Sequence, residues 1–104
     1  MTATKGAFAA RCYELLMQVP AGKVTSYREI ARALGSRAYR AVGTAMHNNP
    51  DAPRVPCHRV VCSDGRLGGY AGGLQRKVEL LRSEGVEICD ERVADMEHCF
   101  HRFS

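Results

Sequence analysis

One cysteine, Cys57, has neighbours of the types that position and activate a thiol. Cys57 lies between Pro56 and His58, and Arg59 follows. Proline fixes its own φ and disfavours helical geometry in the preceding residue, so we expect the chain to enter Cys57 in an extended, stiffened form. Nearby cationic or proton-accepting groups favour the thiolate, which is the nucleophilic form of cysteine. The segment predicts a positioned nucleophile, and a buried structural cysteine on a short apolar strand is the alternative.

The cysteine content indicates a reducing environment. The chain has 104 residues, enough for one compact domain, and five cysteines, an odd number with no Cys-x-x-Cys pair. Its first residues lack the apolar core of a secretory signal, and no apolar run is long enough to cross a membrane. We therefore expect free thiols and a cytoplasmic protein, or a nuclear one in a eukaryote, with no membrane partner.

Basic residues are concentrated in the middle of the chain. Residues 23–77 contain ten Lys or Arg against three acids, whereas the remainder contains five against eight. A basic segment between acidic flanks favours a polyanionic partner, with nucleic acid as the leading candidate. Ordinary solvated surface charge is the alternative interpretation.

Two short helices in the first half form a helix-turn-helix pattern. After an amphipathic helix over about residues 4–19, Ser26 and Glu29 match a capping box that opens a second helix. A third helix is predicted over residues 38–47. It is rich in small residues beside Arg40, so it can lie against a nucleic-acid groove or, alternatively, pack closely inside the protein.

A glycine-rich stretch follows the cysteine segment. After a predicted turn at residues 63–66, residues 67–73 hold four glycines around Tyr70, and glycine permits close approach of the backbone to a ligand. No Gly-Lys-Ser/Thr follows, which excludes a phosphate-binding loop of the nucleotide-hydrolase type. A helix over residues 74–83 and a short strand over residues 86–88 complete the pattern.

The segment 89–104 carries side chains of the types that bind zinc, namely Cys89, His98, Cys99 and His101. Their spacing matches no standard zinc pattern, so we expect no metal and a short acidic terminal helix instead. We assign residues 1–88 to the functional domain and residues 89–104 to a tail of unknown role. Removing residues 92–104 should then change stability only modestly.

Together these features resemble the O6-alkylguanine-DNA alkyltransferase family. The resemblance covers about residues 8–88 in the family's order and spacing. It rests on the helix-turn-helix with Arg40, on Pro56-Cys57-His58-Arg59-Val60 and on Gly69-Tyr70-Ala71-Gly72-Gly73. It implies a mostly α-helical catalytic domain with short strands, lacking the N-terminal domain of many relatives. It also implies irreversible, single-turnover transfer of an alkyl group from guanine O6 to a cysteine, without a cofactor.

The resemblance assigns a role to each candidate site residue. Cys57 would accept the alkyl group, His58 would take its proton through water, Glu84 would orient His58, and Asn49 would organise the turn under the site. The base-binding residues that it implies are Tyr27, Val60, Tyr70, Ala71 and Gly72. Tyr27 would donate a hydrogen bond to a guanine ring nitrogen, and Ala71 stands where some relatives carry a hydroxyl.

The family's partner is double-stranded DNA, which the helix-turn-helix enters through the minor groove while the alkylated base is flipped out of the stack. Arg40 would fill the gap that the flipped nucleotide leaves. The other DNA-binding residues implied on the same helix are Ala38, Tyr39, Ala41, Gly43 and Thr44. We expect the protein to act as a monomer.

Two other classes of protein share parts of the pattern. Alkyltransferase-like proteins bind the lesion and recruit other repair factors without reacting, but they lack the acceptor cysteine and typically carry tryptophan instead. A transcriptional regulator could use the same helix-turn-helix, yet it would leave Cys57, His58 and Glu84 unexplained. The presence of Cys57 therefore favours the enzyme.

Overall fold

The computed structural model describes residues 3–103, which form a mostly α-helical domain. Its helices are α1 (Ala3–Leu16), α2 (Tyr27–Ala33), α3 (Tyr39–His47), α4 (Leu74–Ser83) and the short α5 (Met96–Cys99). Its strands are β1 (Thr25–Ser26), β2 (Val60–Val61), β3 (Ile88–Cys89) and β4 (Arg92–Val93). The predicted mostly α fold with short strands is confirmed, although α1 ends earlier than residue 19. In this described part of the chain, no helix has both the length and the apolar character needed to cross a bilayer.

Helices α2 and α3 form the predicted helix-turn-helix. Ser26 caps α2, because its hydroxyl accepts a hydrogen bond from the backbone N–H of Glu29 at 2.9 Å. Gly35, with φ +69°, turns the chain after α2, a conformation that glycine adopts readily. The inner face of α3 buries Val42 and Ala45. The packing of α3 on α2 leaves the opposite face of α3 exposed.

A short parallel ladder joins the helix-turn-helix to the cysteine segment. Thr25 pairs with Val60 and Ser26 pairs with Val61, and all four residues are buried. Parallel pairing brings together segments that are distant in sequence. The ladder therefore fixes the start of α2 beside the residues that follow Cys57.

The apolar core has two clusters that meet at strand β2. Val60 packs in the first cluster and Val61 in the second, because successive side chains of a strand point to opposite faces. The first cluster includes Cys12, Leu16, Ile30, Val42, Cys57 and Phe103. The second includes Val24, Leu67, Leu81, Val86, Ile88 and Val93. The thiol of Cys57 thus belongs to the larger core as well as to the site.

The tail packs against the rest of the domain, so these contacts favour a larger loss of stability on its removal than the sequence predicts. Strands β3 and β4 form an antiparallel hairpin that buries Val93. The strand predicted over residues 86–88 corresponds to β3, which begins at Ile88. Farther on, Val24 donates its N–H to Cys99 at 2.8 Å and accepts one from His101 at 2.6 Å. Phe103 is 6 % exposed and ends in the first cluster.

Glu29 anchors the end of the tail to α2. Its carboxylate accepts hydrogen bonds from the backbone N–H of Phe103 at 2.8 Å and from two nitrogens of Arg32 at 2.8 and 2.6 Å. Arg32 also donates to the Phe103 carbonyl at 2.8 Å. In a capping box this carboxylate would accept a hydrogen bond from the backbone N–H of Ser26. Only the bond from the Glu29 N–H to the Ser26 hydroxyl is present, so the predicted box is half formed. The hydrogen bond from Arg32 keeps the pKa of Glu29 below its ordinary 4.5.

Candidate active site

Cys57 begins one turn of 3₁₀ helix, Cys57–Arg59, and the predicted extended entry is wrong. Pro56 has φ −83° and ψ 65°, and the Cys57 N–H donates to the Val55 carbonyl at 2.8 Å. The φ that proline imposes suits this tight turn as well as it suits a strand, so the sequence alone did not decide between them. Strand β2 begins only at Val60. The side chain of Cys57 is 3 % exposed, so the turn holds a buried thiol in one place.

Asn49 connects the preceding loop to this turn. Its Nδ2 donates to the Val55 carbonyl at 2.7 Å, and its Oδ1 accepts the N–H of Asp51 at 3.0 Å. The Val55 carbonyl therefore accepts from both Asn49 and Cys57. Asn49 contacts the backbone that places the thiol and forms no hydrogen bond with the thiol itself.

The two residues after Cys57 share one carboxylate, that of Glu84 at the end of α4. The Nε2 atom of His58 lies 3.0 Å from Glu84 Oε2. Arg59 donates its Nε to Oε1 at 2.9 Å and its Nη2 to Oε2 at 2.5 Å, and its Nη1 to the Val19 carbonyl at 2.7 Å. Bidentate guanidinium pairs of this kind fix both position and orientation. Arg59 therefore holds the carboxylate that faces His58.

The surroundings of His58 leave it a neutral base. Burial lowers the pKa of His58 below 6.5 and outweighs Glu84, which raises it. Burial raises the pKa of Glu84, but hydrogen bonds from Arg59 and His58 outweigh that effect and bring it below 4.5. An ionised Glu84 accepts the Nε2–H of a neutral His58, which assigns the lone pair to Nδ1. That Nδ1 is buried without a hydrogen-bond partner among the described residues.

Cys57 borders a cavity of about 240 Å³ between α3 and the glycine-rich loop. The cavity is lined by Tyr27, Gly43, Met46, His47, Cys57, Gly69, Tyr70 and Ala71. The fold thus brings the start of α2, the helix α3, the cysteine turn and the loop to one place. A larger and more open hollow of about 490 Å³ lies between α2 and the tail, and it is lined by no cysteine.

Two tyrosines in this cavity wall keep their protons. Burial raises the pKa of Tyr27 to about 12, and the nearby thiols of Cys62 and Cys57 add to the shift. Burial also raises the pKa of Tyr70, again with Cys57 beside it. Both hydroxyls are therefore hydrogen-bond donors at neutral pH.

Close approach to these tyrosines explains two glycines of the loop. A Cβ on Gly68 would lie 3.1 Å from the Tyr27 hydroxyl, and Gly68 has φ +70°. A Cβ on Gly72 would lie 2.9 Å from Cε2 of Tyr70. A side chain at either position would displace a tyrosine. Gly72, which the resemblance places at the base, supports the position of Tyr70.

Lys77 is a site residue that the sequence analysis missed. Its side chain is fully buried, and its ammonium group donates to the carbonyls of Val60 at 2.7 Å, Gly69 at 3.1 Å and Leu67. One lysine therefore ties the strand that follows Cys57 to the glycine-rich loop. It also occupies one acceptor position of the Val60 carbonyl.

The ammonium group of Lys77 is buried close to the thiols of Cys57 and Cys62. Burial lowers the pKa of Lys77 to about 8, and Cys57 and Cys62 act in the opposite direction. Its position could have been found from the sequence, because it stands four residues before the buried Leu81 on α4. Charged side chains are rarely fully buried, so helical periodicity ordinarily favours an apolar residue at such a position.

The outer face of α3 carries the predicted DNA-binding residues. Those that are exposed are Ala38, Tyr39, Arg40, Ala41 and Thr44. Gly43 is partly buried and borders the cavity, and a Cβ there would meet no atom within 4 Å. Close internal packing therefore does not account for the exposed small residues of this helix, and their contact with a DNA groove stays a prediction.

The cysteines and histidines of the tail do not converge. Between residues 3 and 103, no three or more Cys, His, Asp or Glu side chains gather in a way that could hold a metal ion. His98 lies against Asp95, with Nδ1 2.8 Å from Oδ2. The thiol of Cys99 donates to the Asp95 carbonyl at 2.9 Å.

These features define a class: helix-turn-helix domains in which a buried cysteine borders a cavity beside the second of the two helices. The family described as "6-O-methylguanine DNA methyltransferase, DNA binding domain" matches residues 7–86. The chain belongs to this family.

Curated relatives from distant organisms share the name methylated-DNA–protein-cysteine methyltransferase. The methylated-DNA–protein-cysteine methyltransferase of Homo sapiens is 50 % identical over 77 residues, which are 73 % of this chain and 37 % of that protein. The one of Methanosarcina barkeri is 49 % identical over 78 residues, covering 74 % of this chain and 49 % of that protein. The chain spans about a third to a half of the length of the curated relatives it matches.

Two solved structures are similar in different ways. Mycobacterium tuberculosis OGT in complex with DNA superposes with a TM-score of 0.73 at 43 % identity, covering 86 % of this chain and 53 % of that one. S. pombe ATL in complex with DNA gives a TM-score of 0.84 at 32 % identity, covering 94 % of this chain and 97 % of that one. The second match extends over more of this chain than residues 1–88 alone, so it includes part of the tail.

Proposed function

We propose that this chain repairs DNA by transferring an alkyl group, such as methyl, from O6-alkylguanine in double-stranded DNA to Cys57. The observation that carries the proposal is the thiol of Cys57 at the wall of the 240 Å³ cavity, with His58 and Glu84 in contact behind it. The relatives named methylated-DNA–protein-cysteine methyltransferase support it. Displacement at an alkyl carbon requires a strong, soft nucleophile, which the thiolate provides.

The transfer is one displacement step. The proton of Cys57 passes through water to Nδ1 of His58, whose Nε2–H is held by Glu84. The sulfur then bonds to the alkyl carbon, the bond from that carbon to O6 breaks, and its electron pair stays on the guanine. The protonated hydroxyl of Tyr27 donates a hydrogen bond to a ring nitrogen of guanine and stabilises the negative charge that develops on the base. The base then takes up, through water, the proton that His58 accepted, and leaves as a neutral species.

The remaining wall of the cavity recognises the base. The carbonyls of Cys57 and Val60 accept from the exocyclic amine of guanine, and Val60 has an acceptor position beyond the one that Lys77 uses. Tyr70 and the N–H of Ala71 face the oxygen. Gly72 supports Tyr70, and the loop that contains it closes on the base.

The base reaches this cavity by leaving the DNA stack. Its target carbon is inaccessible inside a duplex, and extrusion costs a few kcal/mol, less at a damaged pair. The exposed small residues of α3 let it lie in the minor groove, and Arg40 fills the gap. The basic segment 23–77 binds phosphates without regard to sequence. The protein acts as a monomer in a reducing compartment, the cytoplasm or nucleus, where its five free cysteines persist.

Each molecule reacts once. A thiolate is a poor leaving group from a thioether, so the bond between the sulfur of Cys57 and the alkyl carbon persists. Cys62 lies nearby but lacks an acid–base pair like that of His58 and Glu84.

A lesion binder that does not react is the second candidate, because the match to S. pombe ATL covers nearly all of both chains. The cysteine at position 57 distinguishes the two, since alkyltransferase-like proteins lack the acceptor. As a lesion binder, the chain would mark the damaged base for other repair factors without accepting the alkyl group.

Intact-protein mass spectrometry after incubation with O6-methylguanine duplex separates these functions. We expect the wild-type chain and Cys62→Ser to gain a methyl group, whereas Cys57→Ser should bind the duplex and gain none. Binding by all three proteins without any mass increase would contradict the enzyme and support the lesion binder.

A further inference from the structure

A second basic surface lies apart from the cysteine cavity, between α2, α3 and the tail. It consists of two neighbouring hollows of about 490 and 500 Å³ that share Arg28 and Arg32. The first is also lined by Arg102 of the tail and the second by Arg37. Neither hollow is lined by the cysteine nucleophile, so this surface serves another purpose.

Positive charge on this surface exceeds the acids around it. Glu29 is 4 % exposed, and its carboxylate is committed to Arg32 and to the Phe103 N–H. Glu97 is the other carboxylate in the lining of the first hollow, and the second hollow is lined by none. Arg28, Arg37 and Arg102 form no ion pair with a carboxylate among residues 3–103.

Two of these arginines are braced on aromatic rings. The guanidinium of Arg28 lies 5.9 Å from the ring centroid of Tyr39, and that of Arg102 lies 5.5 Å from that of Phe100. Cation–π contact orients a guanidinium without neutralising its charge. Both guanidinium groups are therefore oriented and keep a charge that no ion pair within residues 3–103 neutralises.

The surface continues from α3, the recognition helix, which is proposed to enter the minor groove. Tyr39 is the first residue of α3, so Arg28 stands beside the beginning of this helix. The segment with Phe100 and Arg102 is fixed by the hydrogen bond from His101 N–H to Val24. Arg102 lies beyond residues 7–86, the part that matches the family model.

We propose that Arg28, Arg37 and Arg102 bind the phosphate backbone of the DNA beyond the recognition helix, as a clamp built partly by the tail. This proposal rests on the proposed function, because it assigns a second contact to the same DNA. Forked guanidinium groups suit the oxygens of a phosphodiester. Each phosphate neutralised in this way releases counterions, so the contact must appear in the salt dependence of binding.

The test is the dependence of binding to an undamaged duplex on salt, measured for the wild type and for Arg28→Gln/Arg102→Gln. Each lost phosphate contact should reduce the slope of log K against log salt by about 0.9, so the double variant should lose about one to two units of slope. Arg28→Lys/Arg102→Lys should keep most of the slope. Arg11→Gln, which removes an exposed arginine from α1, should keep all of it.

An unchanged slope in the glutamine double variant would overturn the clamp, and is the result expected if the surface binds an acidic protein instead. Methyl transfer to Cys57 is measured on the same preparations at saturating lesion duplex. If the wild type transfers methyl and the slopes are equal, the clamp alone fails. If the wild type transfers nothing, the proposed function fails, and the slopes still decide whether the arginines contact DNA.

Discussion

At the scale of single residues, the reactivity of Cys57 depends on groups that are fixed around it. Glu84 connects them, because it accepts from His58 on one side and from Arg59 on the other. Its side chain is 15 % exposed and that of Arg59 is 17 % exposed, so this ion pair is largely shielded from water. Removing the carboxylate should therefore affect both chemistry and stability.

For Glu84→Gln we expect alkyl transfer to slow by at least about tenfold, because His58 loses the partner that raises its pKa and orients it. The fold should lose about 3 kcal/mol, since Arg59 keeps a charge that is mostly buried. Glu79→Gln is the matched control: its exposed pair with Arg76 has a separation of 3.7 Å, and we expect a change within about 0.5 kcal/mol. Transfer kinetics and denaturant unfolding measure the two effects, and equal behaviour of the variants would contradict the role of Glu84.

The pH dependence of this stabilisation has a definite sign. The pKa of Glu84 is lower in the folded chain than its ordinary 4.5, so its contribution is complete above that value. The contribution is lost as the pH falls through the folded-state pKa. The stability difference between wild type and Glu84→Gln should therefore be largest at neutral pH and shrink in acid.

At the scale of elements, the glycine-rich loop is held by the lysine beneath it. Lys77→Met leaves the carbonyls of Val60, Leu67 and Gly69 without their shared donor. We expect faster hydrogen exchange across residues 67–73 and slower alkyl transfer, because the wall that carries Tyr70 is no longer fixed. Arg76→Gln, an exposed change on the same helix, should do neither. Unchanged exchange in Lys77→Met would show that the loop does not depend on this residue.

The lowered pKa of Lys77 predicts that the stability of the fold changes at alkaline pH. Its pKa is about 8 in the folded chain against 10.5 ordinarily, so the unfolded chain holds more protons between these values. The contribution of Lys77 to stability should therefore rise with pH across that window. The stability of wild type relative to Lys77→Met, measured from pH 8 to 10.5, should show this rise.

The recognition helix gives a prediction about DNA that is separate from the chemistry. Arg40 is exposed and does not line the cavity, so Arg40→Ala should leave the reaction with free O6-alkylguanine base intact. Reaction with the lesion in duplex DNA should fall by at least about tenfold, because the gap left by the flipped base stays unfilled. Comparable losses on both substrates would count against this role.

Elements that depend on local signals could be predicted from the sequence, and those that depend on distant contacts could not. The Ser26 cap and the apolar spacing of α3 and α4 determine these helices locally, and their predictions are confirmed. The 3₁₀ turn at Cys57 and the course of the tail depend on partners far along the chain. Residue type alone does not predict the burial of Lys77, because burying an ammonium group costs free energy unless hydrogen bonds compensate for the lost water. Here three carbonyls from strand β2 and the glycine-rich loop provide those hydrogen bonds.

At the scale of the whole molecule, the tail closes the structure. It adds the β3–β4 hairpin, a backbone connection to Val24, and Phe103 in the first cluster. The connection to Val24 and the hydrogen bond from the Phe103 N–H to Glu29 lie at the start of α2, where Tyr27 lies. The hairpin instead pairs with the start of the glycine-rich loop, at Leu67. The tail therefore supports the cavity without contributing a side chain to its lining.

Deleting residues 92–104 should lower the stability by at least about 3 kcal/mol, because Phe103 alone leaves a large hole in the core. Phe103→Ala should reproduce much of this loss. His98→Ala, at an exposed position, should have little effect. Thermal unfolding measures all three, and a deletion variant that melts like the wild type would contradict the structure of the tail.

The proposed function requires that Cys57 accept one alkyl group and keep it. The most direct measurement is quantitative peptide mass spectrometry over time, with labelled O6-methylguanine duplex in large excess over protein. We predict a burst that ends at one methyl group per protein molecule, located on Cys57, with no further loss of lesion from the DNA. Continued demethylation beyond one equivalent, or a label on Cys62, would show that Cys57 is not a single-use acceptor.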